Sequence, residues 1–530
     1  MYKLATSLAL LGIMFFSCQQ GETSKEQPTT LLSDYYTEHH RPQAHFSPEK
    51  MWMNDPNGMV YYEGEYHLFY QHYPDGDVWG PMHWGHAIST DMLHWEHLPI
   101  ALYPDSLGYI FSGSAVVDEN NTAGFQTGEE KALVAIYTYH DTAGEKAGTN
   151  DFQTQGIAYS NDKGRTWTKY EGNPVIPSPG IKDFRDPKVF WHEESSQWVM
   201  ILAVKDRVHL YQSANLKEWT FASEFGADQG SHGGVWECPD LFELPIEGTD
   251  ETRWLMIVSL GSGGPNGGSG TMYFVGDFDG SLFTNANTAD EVLWLDYGKD
   301  NYAGVTWSDV PEADGRRIFL GWMSNWQYAT KVPTRPWRSA MTLPRVLSFV
   351  QTEGGLRLKQ AVVAEMEGLR GLKSDLGARE VAGELDQTGE IEFDPDLSEM
   401  KVHFRWEAET APQTLGIMLS NALGEQVKLG LDLAGGQYFV DRRQAGKMDF
   451  SEAFPGLHLA PAKQLSNEMT LEVFWDHASV ELLAEEGLTV MTDNFFPNER
   501  FTKLAFFTEG GKAEMTQAEL YQLEGVWAKP

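Results

Sequence analysis

Cysteine is almost missing from this chain of 530 residues, which carries two, Cys18 and Cys238. A chain so poor in cysteine cannot be a disulfide scaffold or hold a Cys-ligated zinc, so its own core must stabilise it. Basic residues are also scarce: 39 Lys and Arg stand against 76 Asp and Glu, a formal net charge of −37. That field repels nucleic acid and anionic membrane, and favours solubility and neutral ligands, while saying nothing about fold. Long amphipathic helical patterns are nearly absent before residue 355. What is abundant is aromatic and glycine content, 18 Trp, 21 Tyr, 28 Phe and 52 Gly, the composition of a β-rich protein with aromatic surface for ligands.

The amino terminus reads as an export signal. Lys3 precedes an apolar run over residues 4–17, too short for a membrane span. Ser17-Cys18 and the polar stretch from Gln19 to Thr30 resemble a bacterial lipoprotein signal with Cys18 as the lipidated residue, although Phe15 and Phe16 depart from the usual pattern. Simple secretion with an incidental cysteine is the alternative.

A hairpin signature recurs along the chain. Ser89-x-Asp91 with Trp95, Ser160-x-Asp162 with Trp167, and Ser213-x-Asn215 with Trp219 each follow a short alternating apolar run. Each reads as strand, tight turn, strand, with the Asp or Asn closing the turn and the Trp packing the hairpin. Intervals of 72 and 52 residues between the tryptophans fit blades of a β-propeller with loops of variable length. After about residue 385, alternating segments such as 401–407, 469–475 and 480–483 read as a β-sandwich. The stretch from Leu356 fits a helix or a strand between domains.

Three acids sit in turn-like settings beside proline. Asp55 lies in Trp52-Met-Asn-Asp-Pro-Asn-Gly58, Asp186 in Phe184-Arg-Asp-Pro187, and Glu237 in Trp236-Glu-Cys-Pro-Asp240. Proline restricts the loop around each acid, and loops of successive blades converge on a central channel. Residues distant in sequence can therefore meet there. The rival for each is ordinary: an Asx-turn or a solvated surface acid. His83 and His86, three apart, invite a metal reading, but strand context and the lack of a third ligand favour packing.

These segments, with Phe111-Ser-Gly-Ser114 between the first two, resemble glycoside hydrolase family 32, the invertases, levanases and inulinases. Trp79-Gly-Pro-Met-His-Trp-Gly-His-Ala87 and Asp296-Tyr-Gly-Lys-Asp300 with Tyr302 resemble its bacterial levanase and exo-inulinase branch. The likeness spans about residues 38–525 and implies an all-β chain, a five-bladed propeller followed by a sandwich. The expected division is a signal at 1–17, a polar linker at 18–37, the propeller at 38–350, an interdomain linker at 351–380 and the sandwich at 381–530.

The resemblance implies Asp55 as nucleophile, Glu237 as acid/base and Asp186, paired with Arg185, as an ionised stabiliser of the transition state. It further implies retention of configuration, through a covalent fructosyl-enzyme. Asn54, Gln71, Trp79, Phe111, Ser112, Arg185, Asp300, Tyr302 and Trp322 are expected around a terminal fructose, with core packing or backbone satisfaction as the rival role for each. Neither cofactor nor metal is expected, nor a nucleic-acid partner. Membrane association is expected only through a lipid on Cys18. Left open are endo action, fructosyl transfer, a non-catalytic glycan-binding propeller and a sialidase. Ser160-Asn-Asp-Lys-Gly-Arg-Thr-Trp167 fits a sialidase hairpin, but that chemistry needs an arginine cluster, and only Arg185 lies in a candidate loop.

Overall fold

The computed structural model describes residues 36–463 and 466–527. The expected signal segment and Cys18 lie outside the described residues.

Five sheets follow one another along the chain, antiparallel except where Met51–Tyr62 pairs in parallel with Trp337–Arg338. Their first strands are Met51–Tyr62, Tyr109–Asp118, Phe184–His192, Trp236–Pro245 and Tyr302–Thr306. Each first strand packs against the first strands of its neighbours, and the fifth returns to the first, which closes a five-bladed propeller. The second strands are read on both faces by neighbouring blades, so they are near-continuous apolar runs: Ala132–His140 is buried at every position.

The recurring hairpins form as the sequence indicates. Ser160 Oγ donates to Asp162 Oδ1 at 2.7 Å, Asp162 accepts from the Thr166 backbone at 2.9 Å, and Trp167 Nε1 donates to the Gly164 carbonyl at 3.0 Å. Trp95 and Trp219 repeat that last bond to Met92 and Leu216 at 3.0 and 2.9 Å. Met92, Gly164 and Leu216 all hold a left-handed φ, of 65°, 76° and 61°. The tryptophan bond thus stabilises a turn in which glycine appears only once.

The carboxy-terminal part is a sandwich of two antiparallel sheets. Alternate residues of facing strands, among them Val402, Phe404, Ile417, Leu471 and Phe506, form its core. The expected linker at 351–380 is largely strand instead. Gly355–Val362 is the outer strand of the fifth blade, and Arg370–Asp375 pairs with the last strand of the sandwich, Ala513–Leu523. Burial of Leu358 and Gln360 on alternate positions settles the ambiguity of that stretch in favour of a strand.

The two parts meet through buried ion pairs. Arg345 Nη1 lies 3.0 Å from Asp296 and its Nη2 2.5 Å from Glu481 of the sandwich. His45 bridges Asp476 at 2.8 Å and Glu481 at 3.0 Å.

Candidate active site

Each of the five innermost strands loses its register with the next strand near its beginning. The breaks fall between Met53 and Pro56, Ile110 and Gly113, Arg185 and Lys188, Glu237 and Asp240, and Tyr302 and Val305. An inserted residue re-aims the side chains around it, and such bulges collect at functional sites. Asp186, Cys238 and Ala303, all within these breaks, hold left-handed φ values of 65°, 44° and 55°. Single left-handed residues of this kind cost energy that the surrounding structure must offset. The ring of bulges gathers Asp55, Ser112, Asp186, Glu237 and Tyr302 around the propeller axis, one from each blade.

Asp55 is held at both oxygens: Asn54 Nδ2 donates to Oδ1 at 3.0 Å and Ser112 Oγ to Oδ2 at 2.6 Å. Asn54 is itself fixed by Trp52 Nε1 at 2.7 Å. Cys238 joins the acids, its Sγ lying 3.5 Å from Asp55 Oδ2 and 3.7 Å from Asp186 Oδ2, while its backbone N–H donates to Asp186 at 3.1 Å. Glu237 accepts from Arg185 Nη2 at 2.9 Å through Oε1 and from the Tyr302 hydroxyl through Oε2. The side chain of Glu237 is 23% exposed and that of Asp186 5%, so Glu237 stands nearer the opening.

Burial raises the pKa of Asp55 above the ordinary carboxylate range, the nearby Glu237 adds to the rise, and the bonds from Ser112 and Asn54 oppose it. Asp186 is raised by burial, with Arg185 opposing. Burial and the three surrounding carboxylates push the Cys238 thiol up, which keeps it a neutral donor.

The remaining expected residues divide. Phe111 stacks on His140 with 4.2 Å between centroids, and Trp79, 39% exposed, meets its edge, which leaves an aromatic wall open to solvent. Gln71 sits under this wall and donates to the Ile110 carbonyl at 3.0 Å. Trp322 is fully buried among Trp52, Trp326 and Tyr302, with an indole N–H that has no partner among the described residues. Arg185 differs from expectation: it pairs with Asp183 at 2.7 Å and Glu237 at 2.9 Å, with Asp186 only at 3.9 Å.

Asp300 is a correction. Its carboxylate takes Arg442 at 2.5 Å, the Tyr328 hydroxyl at 2.6 Å and the Asn494 backbone, so it ties the fifth blade to the sandwich and has no free oxygen for a sugar. Sequence reading missed Asp183, the second partner of Arg185, and Thr138, whose hydroxyl receives the Asp186 N–H at 3.0 Å. Thr138 is on a second strand, where no turn or proline marks it. His86 shares a hydrogen bond with His67 at 3.0 Å, and among the described residues no cluster of three or more His, Cys, Asp or Glu could hold a metal ion.

A propeller that gathers acids from separate blades at its axis, beside a wall of aromatic rings, is the arrangement of a glycosidase. The sequence matches the family description "Glycosyl hydrolases family 32 N-terminal domain" over residues 45–360 and "Glycosyl hydrolases family 32 C terminal" over residues 365–522. The chain belongs to glycosyl hydrolase family 32. It is 52% identical to a levanase of Bacillus subtilis, covering 93% of this chain and 72% of that protein. An extracellular exo-inulinase of Aspergillus awamori is 39% identical over 93% of this chain and 96% of its own length. Among solved structures, an exo-inulinase from Aspergillus awamori superposes with a TM-score of 0.84 at 36% identity, covering 93% of this chain and all of that one. A β-fructofuranosidase from Schwanniomyces occidentalis complexed with fructosyl-erythritol gives 0.81 at 33% identity, over 93% of this chain and 98% of that one.

Proposed function

We propose that this chain is a retaining fructan hydrolase that releases terminal fructose from levan or inulin, with sucrose as a secondary substrate. Asp55 attacks the anomeric ketal carbon of the terminal residue while Glu237 delivers a proton to the departing oxygen. The bond to the rest of the chain breaks as the bond to Asp55 forms, giving a covalent fructosyl-enzyme. Glu237, now a carboxylate, takes a proton from water, whose oxygen attacks the same carbon and frees Asp55. Asp186 accepts hydrogen bonds from the sugar hydroxyls.

The observation that carries this reading is the linkage of Asp55 and Asp186 through one thiol, Cys238, whose neighbour along the strand is Glu237. Ser112 and Asn54 hold the Asp55 carboxylate in one orientation, which nucleophilic attack requires. The likeness to a levanase and to exo-inulinases supports the fructan substrate. Asp55→Asn tests it: fructose release from levan and inulin should be abolished while the circular-dichroism spectrum is kept, and unchanged release would overturn the assignment. Proton NMR of early product should show β-fructofuranose first. Chromatography of products from levan separates exo action, with free fructose alone, from endo action, with a ladder. The reading extends to an exported enzyme anchored by lipid on Cys18, and palmitate labelling lost in Cys18→Ser tests that part.

A further inference from the structure

The innermost strands carry a second chamber at their far ends, away from the acids. A cavity of about 620 Å³ opens there, much larger than the space of about 10 Å³ directly beneath the acids. Lys188 borders both, and its ammonium, 2.5 Å from the Thr306 carbonyl and 3.6 Å from Asp240, closes the axis between them. The two chambers are therefore separate.

The far chamber has unused binding groups. The Arg317 guanidinium lies over the Phe242 ring at 5.0 Å and, among the described residues, makes no hydrogen bond or close ion pair, although Asp240, Asp309 and Glu243 attract it through space. Trp191 and Trp254 line the wall with their rings half-buried. A guanidinium donor without a hydrogen bond of its own favours an occupant that supplies acceptors. Six carboxylates and three cationic side chains line the cavity, a balance that disfavours an anion. Partly exposed indoles suit the C–H faces of a neutral sugar, and the volume falls within the range of small-ligand sites.

We propose that this chamber is a second, non-catalytic saccharide site, holding a short fructo-oligosaccharide segment through Arg317 and the exposed parts of the Trp191 and Trp254 rings. The choice of fructosyl chains over other neutral sugars rests on the proposed function; the existence of the site does not. The test is equilibrium dialysis of the full-length Asp55→Asn protein against 1-kestose, a fructosyl-sucrose trisaccharide. Two sites per chain are expected, falling to one when Arg317→Met or Trp254→Leu is added, with folding checked by circular dichroism. Arg317→Met alone should leave kcat on sucrose unchanged. A single site in Asp55→Asn, or two sites that survive both added substitutions, would overturn the proposal. Residual fructose release by Asp55→Asn, measured separately, would count against the catalytic assignment and not against the second chamber.

Discussion

Glu237 faces two donors at once, the Arg185 guanidinium and the Tyr302 hydroxyl. A carboxyl held on both oxygens keeps a fixed direction toward the departing oxygen, which is what proton transfer needs. Glu237→Gln keeps the shape and removes the proton, so kcat on fructans should fall by about 10²–10⁴. The loss should shrink for an aryl fructoside whose leaving group needs no proton, and an equal loss on both substrates would show that Glu237 acts otherwise. Asp55 makes a different prediction. Because burial raises its pKa, its contribution to folding is fully present below the ordinary carboxylate value and is lost as pH rises through the raised one. An ionised Asp55 therefore destabilises the fold at neutral pH. Asp55→Asn should melt higher than the parent at pH 7, with the gap closing as pH is lowered, and thermal unfolding at several pH values reads both. The sacrifice of stability for function at such a site is common.

At the scale of elements, the hairpins and the bulges do separate jobs. The Ser-x-Asp turns and their tryptophans hold the outer edges of the blades, remote from the acids. Asp162 accepts from Ser160 Oγ, the Thr166 N–H and the Thr166 hydroxyl, the last at 2.6 Å. Asp162→Ala should cost about 1–2 kcal/mol, comparable to the loss of a helix cap, and leave kcat unchanged. Chemical denaturation with a parallel assay measures both, and a fall in kcat would show that the blade edge reaches the site. These turns were legible in the sequence because Asp, Asn and Trp at fixed spacing act locally. The acids were marked by proline, but they lie inside strands at register breaks and not in the turns and loops expected. The register breaks were not legible, since a bulge is defined by the partner strand and not by the strand that carries it. Nor was the place of Asp300, whose partners Arg442 and Asn494 lie well over a hundred residues further along the chain. Gly355–Val362 stayed ambiguous because a short apolar run fits either period until its neighbours are known.

The molecule as a whole is joined by charges that water does not reach. Arg345 from the fifth blade, Glu481 from the sandwich and His45 from the segment before the first blade share one buried cluster, with Asp476 on the other nitrogen of the histidine. Burial alone would lower the pKa of His45, but hydrogen bonds to Asp476 and Glu481 outweigh it and lift the value to about 9. A histidine so raised stabilises the fold fully below about 6.5 and ceases to do so as pH climbs through 9. Between those limits the stabilisation lost is on the order of 3 kcal/mol, counted once for the cluster because Glu481 is lowered by Arg345 and this same His45. His45→Gln keeps a polar ring of contacts without the charge. Its melting temperature should be lower than the parent's at pH 6 and should then stay nearly flat, while the parent's declines toward pH 9. Parallel curves would place the alkaline sensitivity elsewhere, in the buried tyrosines or lysines, and would remove His45 as the pin between propeller and sandwich.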